Sequence, residues 1–279
     1  MQNLILKLNQ KPLDFKIESH DSTNGVLFSY RSHHNDLILG RYWNAEFNIK
    51  NVWIILYHGL GAHTGTAGYL EFVSWWTKKG YDVIGMDVRN QGGLTKGHPA
   101  PNPKGLYLSG LSSFNQYYYT SVYADAYRLI DVAHLIKPHS EIIVNGGSQG
   151  GALALFAGAI HPLVDLILAD MPSNIDIKKL IEASEGGFTA FLSNHIIPPK
   201  WLFEEIDLLS YANDIKKPTL IASGDKDLVC PTETAKTLFN ELNVEKSFIL
   251  YETYGHGGYD VMHFPKKIEF INKHEKKGK

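Results

Sequence analysis

Two kinds of apolar pattern succeed one another along the chain. In residues 14–19, 25–30 and 36–43, apolar and polar positions alternate, and Gly and Asn stand in the gaps. Such alternation predicts short, half-buried antiparallel strands joined by tight turns. From residue 52 the pattern changes to continuous apolar runs, at 52–57, 81–87, 141–144, 163–169, 218–223 and 247–251. Runs of this kind suit strands covered on both faces, as in a parallel sheet. Between them lie segments with helical spacing. Residues 68–79 carry Tyr69, Phe72, Val73 and Trp76, and residues 117–135 carry Val122, Ala126, Leu129 and Ala133. Residues 152–160 form a small-residue helix, and residues 232–242 carry Ala235, Leu238 and Phe239. Strand and helix alternating in this way predict an α/β fold, a mostly parallel twisted sheet with helices on both faces and an antiparallel start.

Residues 171–214 break the rhythm, because they separate two buried strands by more than an ordinary crossover. They are read as a cap-like, mostly helical insertion above the strand ends that shapes the substrate pocket, within one domain spanning residues 1–279. The six lysines between Lys266 and Lys279 fit a solvated last helix, with cations near its C-terminal end.

Composition narrows the classes. Lys and Arg number 27 against 29 Asp and Glu, so the basic excess expected of a nucleic-acid binder is missing. Cys230 is the one cysteine, which excludes an intrachain disulfide and a cysteine-rich zinc site. Residues 1–10 lack the pattern of a secretory signal, and no apolar run approaches the length of a bilayer span. A cytoplasmic protein that does not enter a membrane is the expectation.

The chemistry centres on Gly146-Gly147-Ser148-Gln149-Gly150, a G-x-S-x-G pattern between an apolar run and a small-residue helix. That setting is a nucleophile elbow, in which a sharp turn lifts the serine hydroxyl to the sheet edge while Gly146 and Gly150 allow close chain contact. A serine needs a base, and the base needs an orienting carboxylate, in the chain order Ser, acid, His. Asp227 fits the acid position past the run 218–223, with Asp225 as its competitor. His256, set among glycines after the run 247–251, fits the base, with His263 in reserve as a surface or packing residue of the last helix. Oxyanion donors are expected from the backbone N–H groups of Gln149 and Leu60. His58 is read as a structural residue at the root of that loop, or else as a competing base. Trp75, Trp201 and Phe203 either wall the pocket or pack the core, and Tyr117 to Tyr119 pack a helix. No spacing of His, Asp and Glu resembles a metal site, and no cofactor is needed.

With these residues in hand, the chain resembles the acetyl xylan esterase and cephalosporin-C deacetylase family, carbohydrate esterase family 7, of the α/β-hydrolase superfamily. The elbow G-G-S-Q-G-G is matched by residues 146–151. The family's D-x-R-G-Q-G corresponds to Asp87-Val88-Arg89-Asn90-Gln91-Gly92, with Asn90 in place of a glycine. A tyrosine triplet with later Asp and Arg corresponds to Tyr117 to Tyr119, Asp125 and Arg128. The acid loop D-x-x-C-P-P corresponds to residues 227–232, which favours Asp227 over Asp225. The H-E-G stretch keeps its histidine as His256, with Gly257 in place of the glutamate, and Leu60 stands where a tyrosine is usual. The resemblance implies a serine carboxylesterase that removes small acyl groups, acetyl foremost, from a small acetylated substrate such as a sugar ester. It assigns Arg89, Gln91, Gly146 and Gly150 to the motifs that support the site, and it allows a homo-oligomer. Another hydrolase activity on the same fold, peptidase or thioesterase, and a non-catalytic binding member are the competing expectations.

Overall fold

The computed structural model describes residues 1–20 and 23–274. The end of the lysine-rich tail, residues 275–279, lies outside the described residues. One nine-stranded sheet organises the molecule: β1 (Lys16–His20), β2 (Val26–Arg31), β3 (Leu37–Trp43), β4 (Val52–Tyr57), β5 (Asp82–Met86), β6 (Glu141–Gly147), β7 (Leu166–Asp170), β8 (Thr219–Gly224) and β9 (Lys246–Tyr251). Their order across the sheet is β1-β2-β3-β5-β4-β6-β7-β8-β9. The first three strands pair antiparallel, as does β3 with β5, and every later pairing is parallel.

The continuous apolar runs follow from burial on both sides. In β4 the side chains of Trp53, Ile55 and Tyr57 enter one core, while Val52, Ile54 and Leu56 enter the other. Helices α1 (Gln2–Asn9), α3 (Tyr118–Ile136), α4 (Gln149–Ile160) and α7 (Thr232–Glu241) contribute to the first core. Helices α2 (Ala67–Thr77) and α8 (Asp260–His274) contribute to the second. The parallel strands therefore end together at one edge, where the loops after β4, β6, β8 and β9 carry the residues of interest.

Several expectations need correction. Residues 2–9 form a helix where the sequence shows only a brief apolar stretch; Met1, Ile5 and Leu8 are buried and Arg128 donates to the Leu8 carbonyl at 2.7 Å. Strand β6 continues past 144 to Gly147 and α4 begins at Gln149, so strand and helix meet directly at Ser148. Strand β7 starts at Leu166, three residues after the apolar run does, because the turn after α4 leaves Leu163 exposed. The last helix is not simply solvated: Lys267 and His263 are buried, at 6% and 1% exposure. Residues 171–214 hold the short helices α5 (Ile177–Ala183) and α6 (Thr189–Ser193), a π turn and a 3-10 turn, between β7 and β8. Asp207 ties this segment together by accepting the N–H groups of Asp176, Ile177 and Leu209 at 2.7–3.0 Å.

Candidate active site

The junction of β6 and α4 explains why its residues are what they are. Ser148 takes φ 56° and ψ −120°, a strained backbone for a residue with a side chain. The turn is held from three directions: the Ser148 N–H donates to the Asp170 carbonyl at 2.9 Å, and the Ser148 carbonyl accepts from Ala152 and Ser173 at 3.1 Å. Close chain passage dictates the flanking glycines. A Cβ on Gly150 would lie 2.1 Å from the Tyr57 carbonyl oxygen, and one on Gly146 would lie 2.4 Å from the Gly150 backbone.

Asp227 lies in the loop after β8, 4% exposed. Its Oδ1 accepts the N–H groups of Val229 and Cys230 at 2.9 and 2.8 Å, which fixes the carboxylate and points Oδ2 at His256 Nδ1, 2.8 Å away. The carboxylate thus engages Nδ1 of the ring and leaves Nε2 on the other side. His256 and Ser148 line the same pocket, with Gly59 and Leu60 of the loop after β4. Asp225 is exposed and accepts the Thr253 N–H at 2.6 Å, the role of a turn residue. His263 is not among the residues lining this pocket; its Nε2 lies 2.9 Å from Asp170 Oδ1 and its Nδ1 3.0 Å from the Tyr251 hydroxyl.

His58 has both ring nitrogens engaged. The Val88 N–H donates to Nε2 at 3.0 Å, so Nδ1 carries the proton and donates to the Gly59 carbonyl at 2.8 Å. Burial lowers its pKa, so it stays neutral while it joins the β4 loop to the end of β5. Beneath the site Gln91 forms a brace. Its carbonyl accepts the Gly61 N–H at 3.0 Å, and its amide donates to Gln149 Oε1 at 2.7 Å and to the Tyr118 hydroxyl at 2.8 Å. Tyr119 also donates to Gln149 Oε1, at 3.2 Å. The loop carrying Leu60 and the helix start carrying Gln149 are thus tied by one side chain. Arg89, wholly buried, anchors the brace through a bidentate pair with Asp125 at 2.8 and 2.7 Å and a contact with Asp36 at 2.8 Å. Asn90 accepts φ 62°, which asparagine tolerates, and its side-chain amide donates to the Gly97 carbonyl at 2.8 Å.

The pocket in front of Ser148 has a volume of about 420 Å³. Its walls come from Tyr107 before α3 and from Leu180 and Phe188 in the 171–214 insertion; the insertion is read from the sequence as shaping the pocket, but none of the three residues is named there. A contact signal was available only in the bulk of these residues. Trp75, Trp201 and Phe203 are not among its lining residues. Trp75 packs on Phe72 and Phe264, Trp201 on Tyr117, and Phe203 against the core. Cys230 does line it; burial pushes the thiol well above its usual range, the Asp227 charge adds to this, and a hydrogen bond with Ser148 opposes it. It remains a neutral thiol. A larger recess of about 740 Å³ sits at the opposite sheet edge near Asn51, Glu141 and Asp165, remote from the turn at Ser148. Ligand sites of open α/β sheets form at the carboxyl ends of strands, which favours the smaller pocket.

Strand order, elbow and helices on both faces define an α/β hydrolase. The sequence matches the acetyl xylan esterase (AXE1) family over residues 1–274, and the chain belongs to that family. The acetyl esterase Axe7A of Xylanibacter ruminicola is 30% identical over 151 residues, covering 52% of this chain. The match covers about a third, 34%, of that relative's own length. Among solved structures, an acetyl xylan esterase from Paenibacillus sp. R4 superposes with a TM-score of 0.84 at 26% identity, covering 98% of this chain and 92% of that one. Acetyl xylan esterase 1 from Thermoanaerobacterium sp. JW/SL YS485 gives 0.83 at 20% identity, with coverage of 96% and 92%. No helix among the described residues is long and apolar enough to cross a membrane.

Proposed function

We propose that this protein is a serine carboxylesterase that removes small acyl groups, acetyl foremost, through an acyl-enzyme. Ser148 Oγ attacks the ester carbonyl while His256 Nε2 takes its proton. Asp227 holds the imidazole by its Nδ1–H and stabilises the cation that forms. The backbone N–H groups of Leu60 and Gln149 bind the oxyanion, each worth roughly 3 kcal/mol. As the tetrahedral adduct collapses, the C–O bond breaks and His256 returns the proton to the leaving alcohol. Water, activated by the same histidine, then releases the acid and restores Ser148. The carrying observation is the 2.8 Å Asp227–His256 contact on the wall of the pocket that Ser148 also lines.

Residues 171–214 act in this scheme as a cap, since they supply Leu180 and Phe188 to the pocket. A cytoplasmic location accords with Cys230 being the one cysteine, buried as a thiol. The test is hydrolysis of p-nitrophenyl acetate, butyrate and octanoate by wild type and Ser148→Ala, with fluorophosphonate labelling alongside. Acetate should be turned over fastest, and Ser148→Ala should lose both labelling and at least about 10³-fold in kcat. Faster turnover of octanoate would overturn the small-acyl preference, and wild type that neither labels nor hydrolyses would overturn the esterase assignment.

A further inference from the structure

His58 holds more than the root of the loop after β4. Its Nδ1–H donates to the Gly59 carbonyl at 2.8 Å, and the same carbonyl accepts the Ala62 N–H at 3.2 Å, closing a tight turn in which Gly61 takes φ 78°. The Gly59 oxygen belongs to the peptide group that carries the Leu60 N–H. That group is planar and trans, so its C=O and its N–H point in opposite directions. Whatever fixes the oxygen therefore aims the N–H. The Leu60 N–H has no acceptor among the described residues, and Leu60 lines the pocket of Ser148. The turn also runs close beside the serine: a Cβ on Gly59 would lie 3.9 Å from the Ser148 Cβ and 3.6 Å from the Gly147 carbonyl oxygen.

The bond from Ala62 is internal to the turn and moves with it. The bond from His58 is referred to the sheet, because the Val88 N–H, just past β5, donates to Nε2 at 3.0 Å and the ring is buried edge-on against Tyr69. Val88 and Gln91 lie on one segment, and Gln91 holds the Gly61 N–H at 3.0 Å. Residues 87–92 thus grip the turn at two successive peptide groups, at Gly59–Leu60 through His58 and at Leu60–Gly61 directly. The Leu60 side chain is exposed and takes no part, so a leucine serves at this position as well as a tyrosine. We infer that His58 is a positioning residue: by holding the Gly59 carbonyl it turns the Leu60 N–H toward the oxygen of the tetrahedral adduct on Ser148. The inference rests on the esterase reading above and deepens it.

The test compares wild type with His58→Ala, His58→Asn and His58→Gln. It reads hydrolysis of p-nitrophenyl acetate and inhibition by benzyl trifluoromethyl ketone, which adds to a serine hydroxyl as a tetrahedral oxyanion. His58→Ala should lose about 10-fold or more in kcat with KM nearly unchanged, and the Ki of the ketone should rise by a similar factor. An asparagine amide can still donate to the Gly59 carbonyl from near the position of Nδ1, but offers Val88 no acceptor. A glutamine oxygen reaches toward the Val88 N–H, while its amide lies too far along the side chain to replace Nδ1. His58→Asn should therefore recover most of kcat and His58→Gln little of it, whatever their melting temperatures. Both fill most of the space of the ring, which keeps the comparison open where His58→Ala does not fold. Recovery by His58→Gln and not by His58→Asn, or kcat and Ki unchanged in all three, would overturn the positioning role and leave the esterase reading standing. A wild type that neither hydrolyses the ester nor binds the ketone would overturn that reading itself.

Discussion

Ser148 is held in a backbone conformation that costs on the order of 1–3 kcal/mol, and the neighbours that enforce it also build the rest of the site. Gln91 ties the residue after Ser148 to the loop after β4. It bonds the Gly61 N–H, Gln149 and Tyr118, and so sets the spacing between the two proposed oxyanion donors. Replacing it by Ala frees both without touching the substrate. We expect kcat for p-nitrophenyl acetate to fall about 10- to 100-fold in Gln91→Ala with KM nearly unchanged, the signature of support felt in the transition state. Gln91→Glu can still accept from Gly61 but cannot donate to Gln149, and should recover part of the loss. An unchanged kcat in Gln91→Ala would refute the brace. At this scale the sequence named Ser148, Asp227 and His256, and the structure brings His256 against Asp227 and onto the wall of the pocket that Ser148 lines. The departures at Asn90 and Gly257 have a backbone reason: their φ angles are 62° and 106°, and only Gly, Asn and few others accept such values readily. The insertion was legible as a pocket-shaping segment, but which of its residues, and that Tyr107, line the pocket was not, because they reach it through folds of chain that no local pattern encodes.

At the scale of elements, the parallel strands were readable because two-sided burial forces continuous apolar runs, as in β4 and β7. Helix α1 was not legible, although Met1, Ile5 and Leu8 have helical spacing, because eight residues give too short a pattern to stand out from the strands after it. The elbow shows why some glycines are fixed by neighbouring elements and others are free. In Gly150→Ala the new methyl meets the β4 backbone, at 2.1 Å from the Tyr57 oxygen, and α4 must move away from the sheet. Thermal unfolding should report a loss above about 3 kcal/mol, or the variant should not accumulate as folded protein. Gly68 in α2 is the matched contrast, since a Cβ there would meet nothing within 4 Å. Gly68→Ala should raise stability by up to about 1 kcal/mol through helix propensity. If Gly150→Ala unfolds at the wild-type temperature, the close approach of β4 and α4 is wrong.

Across the whole molecule, α8 closes the second face of the sheet through a buried polar group instead of apolar contacts alone. Lys267 donates to Asp170 at the end of β7 and to Asn145 of β6, the latter at 2.9 Å, and His263 lies against the same carboxylate. The Asp170 carbonyl also receives the Ser148 N–H, so the pair stands directly behind the turn that carries Ser148. Burial alone would raise the Asp170 pKa, but the Lys267 ammonium and His263 outweigh it and bring the carboxyl down to about 2. The unfolded chain, with an ordinary Asp near 3.9, takes up this proton at higher pH than the folded protein does. The pair therefore adds stability on the order of 2 kcal/mol at neutral pH, which is lost as pH falls from about 5 to about 2. Lys267→Met leaves the carboxylate buried without its cation and should cost about 3–5 kcal/mol at pH 7 in denaturant unfolding. The deficit should shrink below pH 4, where protonation of Asp170 removes the stranded charge. Asp170→Asn combined with Lys267→Met should recover most of it at pH 7, since two neutral groups then replace a broken ion pair. A Lys267→Met deficit that stays constant from pH 7 to pH 3 would mean that packing by the lysine stem, and not its charge, holds α8 against the sheet.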